Sequence, residues 1–487
     1  MITRPLKRWA RRALAATMAA LVFAGVMVGA ASSAQAASQA PCDVFSSGGT
    51  PCVAAYSMVR AMYGSYDGPL YQIERASDGT YLNIGLLAAG GYVNSAPQVS
   101  FCADTICTVT ELYDQSSEGN NLPVSVGGYW AGPGTNGADV PANAMALPVT
   151  ANGHSAFGLE VNPGVGYRTD DAAGVATGDE PEGIYEVTSD SIYNNGCCFD
   201  FGSGETSNTD TGAGHMNAIY WGNACWTGTC TGTGPWVEAD LENGLYSNAT
   251  NSAGNTSVQD PFVSAWEKNN GTTNFTLKYG NAQTGGLTTE YSGALPSGYD
   301  PMHEEASILL GVGGDNSHGG DGTFFEGAMT SGYPTDATEA AVQANIVTAD
   351  YAYPAASTGA INAVGASKCL DVPNSSDTAS TQVDISTCTG ASNQQWTHTT
   401  ANQVTVYSGT SQMCLDGYGK GLTAGTKVDI YPCNQQTNQQ WSFNANGTIT
   451  EVQSGLCLDV NRASTANGAL VQLWTCNGGS NQQWKLG

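Results

Sequence analysis

Short stretches of alternating apolar and polar residues run through this chain and predict β-strands. In "TKVDIY" and "ALVQLW", near the C-terminus, apolar residues occupy every second position, as in a strand with one buried face. The run from Ile308 to Val312 is apolar throughout, which predicts a strand that is buried on both faces. The 62 Gly, 22 Tyr and 10 Trp residues and the low share of charged residues, 12%, agree with an all-β fold that has many turns.

One segment departs from this pattern and predicts a helix, "TDATEAAVQANIVTADYAY", in which Asp336 and Glu339 have the spacing of a capping box. The "PAASTGAINA" that follows is typical of a short linker. We therefore predict a large domain at 37–353, a linker at 354–362 and a second domain at 363–487. The residues with helical spacing are Ala337, Ala341, Val342 and Ile346.

The N-terminus has the organisation of a secretory signal peptide. A basic start precedes an apolar run from Ala13 to about Ala31 and the small-residue site Ala34-Gln35-Ala36. We predict a signal peptide at 1–36, cleaved after Ala36, and a protein that is secreted to the extracellular space. A membrane anchor is the alternative, against which the cleavage site argues. The basic residues of this segment are Arg4, Lys7, Arg8, Arg11 and Arg12.

The charge of the chain is strongly negative and unevenly distributed. The 15 basic and 42 acidic residues give a formal net charge of −27, and five of the basic residues lie in the predicted signal peptide. Such a protein is not expected to bind nucleic acid through its phosphates. The segment after residue 358 is nearly balanced, with 5 basic and 7 acidic residues, so the two predicted domains differ in kind.

The 14 cysteines all follow the predicted signal peptide, and an even number in an exported protein favours disulfides. Local spacing predicts six pairs, of which the last three share a separation of 19 residues. These pairs are Cys42–Cys52, Cys102–Cys107, Cys225–Cys230, Cys369–Cys388, Cys414–Cys433 and Cys457–Cys476. The adjacent Cys197 and Cys198 remain, and either pair with each other or are free thiols. No Cys or His spacing is that of a metal site, and we expect neither a metal nor a cofactor.

Three copies of one motif fill the second domain, each beginning with Cys-Leu-Asp and ending with Gln-Gln-Trp. The copies recur every 43–45 residues, a period at which neighbouring copies share one core. We expect Trp396, Trp441 and Trp484 in that core. The triple motif resembles the ricin-B-type β-trefoil lectins, carbohydrate-binding module family 13, which implies a lectin-like β-trefoil at 363–487.

In that family, each lobe binds a sugar through an Asp, a stacking aromatic side chain and polar side chains near the Gln-x-Trp motif. The first lobe keeps Asp371 and Asn393, but Ser386 replaces the aromatic residue and Thr389 the first amide. Stacking supplies much of the binding to a sugar face, so we expect this lobe to be weak or silent. The alternative role of these Asp residues is turn capping. The matching residues of lobes two and three are Asp416, Tyr431, Asn434 and Asn438, and Asp459, Trp474, Asn477 and Asn481.

Two segments of the large domain carry carboxylates with a pattern of interest. In "GPWVEADLENG", strand alternation places Glu238, Asp240 and Glu242 on one face. The five basic residues of 37–357 are too few for full pairing, so these acids form either a solvated sheet face or part of a working cleft. In "ASILLGVGGDNSHGG", Asp315 follows a strand and a Gly-Gly break, as in an Asx-type turn or a catalytic group on a rigid scaffold.

The large domain resembles glycoside hydrolase family 54, the secreted α-L-arabinofuranosidases, over nearly all of 41–353. The resemblance implies a concanavalin-like two-sheet β-sandwich that removes terminal arabinofuranosyl groups with retention, acting from chain ends on arabinoxylan or arabinan. The segments that carry it are "PCDVFSSGGTPCVAAYSMVRAMY", "FCADTICTVTELYDQSSEGNNL", "GCCFDFGSGETSNTDTGAGHMNAIYWGN", "GPWVEADLENGLYS" and "LLGVGGDNSHGGDGTFFEGAMTSGYP".

The resemblance assigns roles by position. Glu242 would be the nucleophile and Asp315 the general acid/base. The Cys197–Cys198 pair would be a vicinal disulfide that forms a wall beside the bound arabinose. His318 is a further candidate, as a neighbour that influences the pKa of Asp315, whereas His215 is expected to be structural. Substrate-binding roles are implied for Cys197, Cys198, Trp226, Asp240, Asn243 and Gly314.

Two alternative functions remain at this point. A related exo-glycosidase, such as a β-xylosidase or galactofuranosidase, uses the same residue types. A non-catalytic secreted sugar-binding protein is the other, and the presence of both acids with their flanking sequences argues against it. We expect a monomer that binds plant cell-wall polysaccharide, arabinoxylan or arabinan, and no membrane after signal cleavage. The target of the trefoil is either the xylan backbone or exposed galactose.

Overall fold

The computed structural model describes residues 39–226, 230, 232–250, 256–444 and 446–487. The predicted signal peptide lies outside these residues. Within them, no helix combines the length and apolar character that a membrane span requires. The described ranges contain the α-helices α1 (Pro41–Ser47), α2 (Ala96–Phe101) and α3 (Asp336–Val347).

The large domain is built from nineteen strands among the described residues. These are β1 (Cys52–Ser57), β2 (Tyr71–Arg75), β3 (Thr80–Ile84), β4 (Cys107–Leu112), β5 (Leu122–Pro123), β6 (Leu147–Ala151), β7 (His154–Val161), β8 (Tyr167–Thr169), β9 (Glu182–Thr188), β10 (Asp200–Gly204), β11 (Asn217–Gly222), β12 (Trp236–Asp240), β13 (Leu245–Tyr246), β14 (Val263–Asn269), β15 (Phe275–Asn281), β16 (Leu287–Gly293), β17 (Ser307–Leu310), β18 (Gly322–Phe324) and β19 (Glu326–Ser331).

Two antiparallel six-stranded sheets form the sandwich that the resemblance implies. One has the order β1-β19-β9-β14-β15-β16 and the other β13-β12-β11-β10-β17-β8. Strands β11 and β12 of the second sheet pack on β14 and β15 of the first, and the aromatic rings of Trp266, Tyr185 and Phe201 are buried in the shared core. Smaller sheets, β18-β7-β6 and β3-β2-β4-β5, extend the domain. The all-β prediction is confirmed.

The second domain has its own apolar core and, in the part of it that the structure describes, fourteen strands. Each motif Trp donates its indole N–H to the carbonyl of the Leu in its own Cys-Leu-Asp: Trp396 to Leu370, Trp441 to Leu415 and Trp484 to Leu458, at 2.8–3.0 Å. The strands are β20 (Ser357–Gly359), β21 (Ile361–Ala363), β22 (Lys368–Asp371), β23 (Thr381–Gln382), β24 (Asp384–Ser386), β25 (Trp396–His398), β26 (Val404–Val406), β27 (Met413–Gly417), β28 (Val428–Tyr431), β29 (Trp441–Phe443), β30 (Ile449–Glu451), β31 (Cys457–Val460), β32 (Ala469–Trp474) and β33 (Trp484–Leu486). Strand β20 and all but the last residue of β21 lie within the segment predicted as a linker, and both strands pair with trefoil strands.

The disulfides of the structure join the six pairs predicted by spacing and also join Cys197 to Cys198. The predicted capping box of the helix is wrong by one residue, since Thr335 caps α3 by accepting a hydrogen bond from the Thr338 N–H. Asp336 and Glu339 instead form ion pairs with Lys268 and Lys278 at 2.5–3.0 Å. These two lysines are nearly buried. A buried ammonium group without a carboxylate is costly, so the two acids pair with the lysines and do not cap the helix.

Several acids of the sandwich are fully buried with no hydrogen-bond partner for at least one oxygen among the described residues. They are Glu182, Glu186, Asp200, Glu238, Glu267 and Glu304. Burial raises the pKa of Glu182 to about 7 and that of Glu238 to about 9. Since a buried carboxylate without a cation is costly, burial favours the protonated form of each of these groups in the folded protein.

This predicts that stability falls as the pH rises. An exposed Glu ionises near pH ~4.3 in the unfolded chain, so the stabilising contribution is complete below that pH and is lost as the pH rises through the folded-state values. Each such group costs up to about 1.4 kcal/mol per pH unit in this window. Thermal unfolding from pH 5 to pH 9 should show a falling Tm, and Glu238→Gln should flatten the fall whereas Glu118→Gln, at an exposed loop position, should not. A Tm that is flat over this range in the unmodified protein would contradict the prediction.

Candidate active site

One cleft of about 680 Å³ brings together every catalytic and substrate-binding residue predicted for the large domain. It lies over the sheet that contains β10, β11, β12 and β17. The predicted residues that line it are Cys197, Cys198, Trp226, Asp240, Glu242, Asn243, Gly314 and Asp315. The residues that the sequence did not single out are Trp130, Thr211, Gly313, Ser317 and Gly319.

Glu242 is held in a turn and not on a strand. Strand β12 ends at Asp240, and Glu242 follows with a φ of +75°, a conformation that non-glycine residues adopt rarely and mostly where the surrounding structure imposes it. Its carbonyl accepts a hydrogen bond from the Gly244 N–H at 2.7 Å, and its own N–H donates to Asp240 Oδ1 at 3.0 Å. The expected strand face shared by three acids is therefore wrong for Glu242. The solvated-face alternative is also wrong, because Glu238 is 0% and Asp240 2% exposed.

Asp315 lies in the loop that follows β17, and both of its carboxylate oxygens are engaged. Oδ1 accepts a hydrogen bond from the Ser317 N–H at 2.9 Å, and Oδ2 accepts one from the Trp130 indole at 3.0 Å. The first of these bonds is an Asx-type turn. The two interpretations of Asp315 are thus compatible, because the turn fixes the carboxyl group while leaving it on the cleft wall.

Arg168 connects the acid loop to the sheet beneath the cleft. Its guanidinium donates to the backbone carbonyls of Gly314 and Glu205 and forms an ion pair with Asp170. Gly314 packs so closely on the Glu205 carboxyl that a Cβ atom there would overlap it. Arg168 therefore fixes the position of the segment that carries Asp315, a role for which its sequence context gave no signal.

Four carboxyl groups lie below the cleft in two pairs. Glu205 and Glu242 are within hydrogen-bonding reach of each other, as are Asp200 and Asp240. Burial, then the charges of Glu205 and Asp240, raise the pKa of Glu242 to about 10, and burial raises the pKa of Asp240 well above its usual range. Among the described residues, the oxygens of Glu205 and Asp200 have no side-chain partner other than the paired carboxyl group. A close carboxyl pair of this kind holds one shared proton and titrates as a unit.

The Cys197–Cys198 disulfide lies between the segment that carries Glu242 and the segment that carries Asp315. Cys198 Sγ is 3.3 Å from Asp240 Oδ2, on the Glu242 side, and Cys197 Sγ is 3.5 Å from Ser317 Oγ, on the Asp315 side. The carbonyl of Cys197 accepts the Gly319 N–H at 2.7 Å. The pair is oxidised and lines the cleft, so a bound sugar would meet sulfur there.

The histidines have local partners. His318 lines the cleft, but its Nδ1 lies 2.8 Å from the Asn316 carbonyl and 3.3 Å from Asp139 Oδ1. His215 Nδ1 lies 2.8 Å from Asp210 Oδ2. Asp210, His215 and Glu305 place potential metal-ligand atoms within 4.8 Å of one another. Glu305 also accepts hydrogen bonds from the Thr206 backbone and hydroxyl, so the geometry fits a hydrogen-bonded cluster.

The second trefoil lobe forms a pocket of about 440 Å³ lined by all four of its predicted residues, Asp416, Tyr431, Asn434 and Asn438. Asp416 Oδ2 accepts hydrogen bonds from Asn438 and Gln439 at 2.9 and 2.8 Å, which orients the carboxylate. The sequence did not single out Tyr418, which lines the same pocket with its ring under the Lys427 ammonium at 3.7 Å. The segment "CLDGYGKG" contains a signal for it, since an aromatic residue follows Asp416 by two positions.

The third lobe repeats this arrangement. Asp459 Oδ2 accepts hydrogen bonds from Asn481 and Gln482 at 2.7 and 2.9 Å, and Trp474 is 41% exposed, as a stacking platform must be. Asn477 is fixed by its backbone N–H, which donates to Gln482. In the first lobe, the Asp371 network is also present, with Asn393 and Gln394 as donors. That lobe keeps the support but has Ser386 where the other lobes have an aromatic ring.

Residues 41–352 match the family described as "Alpha-L-arabinofuranosidase B, catalytic", and residues 357–484 match the ricin-type beta-trefoil lectin domain. A probable alpha-L-arabinofuranosidase B of Aspergillus terreus is 49% identical over 373 residues, 73% of this chain and 74% of the relative. The alpha-L-arabinofuranosidase B of Aspergillus oryzae is 49% identical over 351 residues, 71% of this chain and 69% of the relative. A Trichoderma koningii protein named arabinofuranosidase/B-xylosidase is 47% identical over 373 residues, 73% of this chain and 74% of the relative.

A solved arabinofuranosidase in complex with arabinofuranosyl-alpha-1,2-xylobiose is similar in structure, with a TM-score of 0.72 and 34% identity over 92% of this chain and 99% of the other. The two family matches meet at the junction between the two apolar cores. The first match also spans every residue of the cleft. The chain therefore belongs to the alpha-L-arabinofuranosidase B family, and its catalytic domain is followed by a ricin-type β-trefoil lectin domain.

Proposed function

We propose that this protein is a retaining, exo-acting α-L-arabinofuranosidase that removes terminal arabinofuranosyl groups from arabinoxylan or arabinan side chains. The observation that carries the proposal is the cleft in which Glu242 and Asp315 meet beside the Cys197–Cys198 disulfide. One cleft thus offers a nucleophile, a proton donor and a wall for the sugar. The family membership and the xylobiose-linked arabinofuranoside bound by the similar solved structure support the same substrate class.

The reaction needs two carboxyl groups with different protonation states. In the first step, a Glu242 oxygen bonds to the anomeric carbon while the bond from that carbon to the leaving oxygen breaks. Asp315 gives its proton to the leaving oxygen. In the second step, water attacks the anomeric carbon, Asp315 takes a proton from that water, and the ester to Glu242 breaks. The products are free arabinose, the shortened polymer and the original enzyme.

The pairing of Glu242 with Glu205 places a proton acceptor beside the nucleophile. Their contact raises the pKa of Glu242 and lowers that of Glu205, so the shared proton belongs to Glu242. Glu242 must give up this proton before it attacks, and the buried Glu205 is the neighbouring group that can accept it. We assign Glu205 as a positioning residue and keep Glu242, Asp315 and Asp240 as the groups that meet the substrate.

A β-xylosidase activity is the second candidate function. It is favoured by the Trichoderma koningii relative, whose name includes both activities. Asp240, Asn243 and Trp226 would hold hydroxyl groups and a ring face of either sugar. Hydrolysis rates measured on an aryl arabinofuranoside and on an aryl xylopyranoside show whether the protein has one of these activities or both.

We further propose that the protein acts outside the cell as a monomer and that the trefoil attaches it to plant cell-wall polysaccharide. The signal-peptide pattern at 1–36 and the seven disulfides support export. The complete binding sets of lobes two and three support attachment.

Replacement of either catalytic carboxyl group should abolish turnover. Glu242→Gln and Asp315→Gly are each expected to lower kcat on an aryl α-L-arabinofuranoside by at least about a thousandfold, because each removes a group that acts only in the transition states. Azide should partly restore the second variant by replacing the attacking water. Asp67→Asn, an exposed acid outside the cleft, is the matched control. Near-normal turnover of either variant, with an intact fold by circular dichroism, would refute its assignment.

Removal of the disulfide wall should weaken substrate binding. Cys197→Ala/Cys198→Ala is expected to raise KM for the aryl arabinofuranoside about tenfold, since the sugar loses its contacts with the sulfur surface. The control, Cys102→Ala/Cys107→Ala, removes a disulfide that does not line the cleft and should leave KM unchanged. An unchanged KM in the first variant would exclude a wall role.

The lobes of the trefoil should differ in sugar binding. Tyr431→Ala and Trp474→Ala are each expected to weaken binding to insoluble arabinoxylan up to about tenfold through loss of a stacking platform. Ser386→Ala at the matching position of the first lobe should have no effect, because no ring is lost. Depletion assays with the full chain measure this. Equal losses in all three variants would contradict the assignment of lobes.

A further inference from the structure

A second large cavity, of about 880 Å³, lies between the catalytic domain and the second trefoil lobe. We call it the interdomain trough. One wall comes from catalytic-domain residues such as Asn162, Asp190 and Tyr193, and the other from trefoil residues such as Thr437 and Gln453. We infer that the trough binds the main chain of a neutral polysaccharide and joins the active-site cleft to the second-lobe pocket, so that both domains hold one substrate molecule. The inference rests on the proposed function.

The two walls are fixed relative to each other by direct bonds. Asp104 accepts hydrogen bonds from Asn446 and Thr448 at 2.6 and 2.7 Å. Asn143 donates to the Val452 carbonyl at 2.7 Å. Across the floor of the trough, the Gln440 amide donates to Glu160 at 3.5 Å. A trough with bonded walls exists before the substrate arrives, which lowers the entropic cost of binding.

The trough continues into the second-lobe pocket. Lys420, Asn434 and Gln436 line both cavities. Asn434 is one of the residues predicted to contact sugar in that lobe. A glycan bound at Asp416 and Tyr431 would therefore pass directly into the trough.

At its other end, the trough borders the active-site cleft. His318 and Gly319 line the cleft, and Asp321, two residues further on, lines the trough. The Asn194 amide donates both to the Gly319 carbonyl at 3.0 Å and to Asp321 Oδ2 at 2.7 Å. One short segment thus forms a wall of both cavities, and a side-chain arabinose in the cleft would leave its main chain beside the trough.

The lining of the trough fits a neutral glycan. Hydroxyl and amide groups, from Asn162, Ser191, Gln435, Thr437 and Gln453, can donate and accept hydrogen bonds with sugar hydroxyls. Among the described residues, its lining carries the acids Asp190 and Asp321 against the cation Lys420, and it also includes the buried Glu160, whose pKa burial raises to about 7. A main chain that carries uronic acids would meet this negative charge and be repelled.

Only the second lobe is placed for this role. Among the residues described, the trefoil side of the trough comes from Lys420 and from 434–437 and 453, and no sugar-binding residue of the first or third lobe lines it. The second lobe therefore acts as an extension of the active site, whereas the third lobe is left for attachment at a distance.

The test blocks the trough from either wall and compares polymer with small substrate. Thr437→Trp and Pro163→Trp place an indole in the trough from the trefoil and from the catalytic domain. Each should lower the ratio of kcat/KM on neutral arabinoxylan to kcat/KM on aryl arabinofuranoside by about fivefold, the effect of losing one or two sugar hydrogen bonds. Ser392→Trp is the matched control, because Ser392 begins the 3-10 turn of the first lobe as Thr437 does in the second. Its ratio should be unchanged.

The outcomes separate the trough from the proposed activity. An active wild type whose ratio is unaffected by both blocking variants overturns the trough and leaves the arabinofuranosidase assignment in place. The trough is likewise overturned if Ser392→Trp lowers the ratio equally, or if turnover of a uronate-bearing arabinoxylan falls more than that of the neutral polymer. A wild type inactive on the aryl arabinofuranoside overturns the proposed function itself. Two variants on opposite walls guard against a folding defect in one of them.

Discussion

The burial of carboxyl groups without matching cations is the constraint on which this catalytic domain depends. All five of its basic side chains in the described residues are committed elsewhere: Arg60 to Glu326, Arg75 to Asp78, Arg168 to Asp170, and two lysines to the start of α3. The acids beneath the cleft can therefore be accommodated only by protonation or by sharing protons. The proposed catalytic residues Glu242 and Asp315 lie where this acid cluster borders the cleft.

The same constraint shapes the protonation of the nucleophile. The Glu205–Glu242 contact raises the pKa of Glu242 and lowers that of Glu205, so Glu242 holds the shared proton and reacts after passing it to Glu205. Arg168 fixes the position of the segments that carry Glu205 and Gly314, because it binds their backbone carbonyls. It does not neutralise the Glu242 carboxylate directly. The disulfide at Cys197 links the nucleophile and acid segments with a surface that carries no charge. Arg168 and the disulfide thus set the geometry of the site, whereas the carboxyl pair sets its protonation.

The trefoil is part of the substrate-binding architecture and not only an appended tether. Its second lobe faces the catalytic domain across a polar trough whose walls are bonded together at Asp104 and Asn143. A branched polymer could then be held along its main chain while its side-chain sugar enters the cleft. In all three lobes, an Asp accepts hydrogen bonds from an Asn and a Gln. The lobes differ in their aromatic residues and in their position relative to the catalytic domain. One repeated fold therefore provides three different surfaces.

The sequence by itself determined much of this protein, because its signals are local or repeated. Alternation predicted the strands, the 19-residue separations predicted three disulfides, and the threefold Cys-Leu-Asp and Gln-Gln-Trp motif predicted the shared core. Only the tertiary structure decided how distant segments meet. Trp130 reaches Asp315 from a loop 185 residues away, Arg168 reaches the Gly314 carbonyl, and Glu205 pairs with Glu242. The placement of Glu242 in a positive-φ turn and the trough between domains also depend on packing. Long-range contacts of this kind leave no period or spacing in the chain, since their partners are selected by three-dimensional proximity alone.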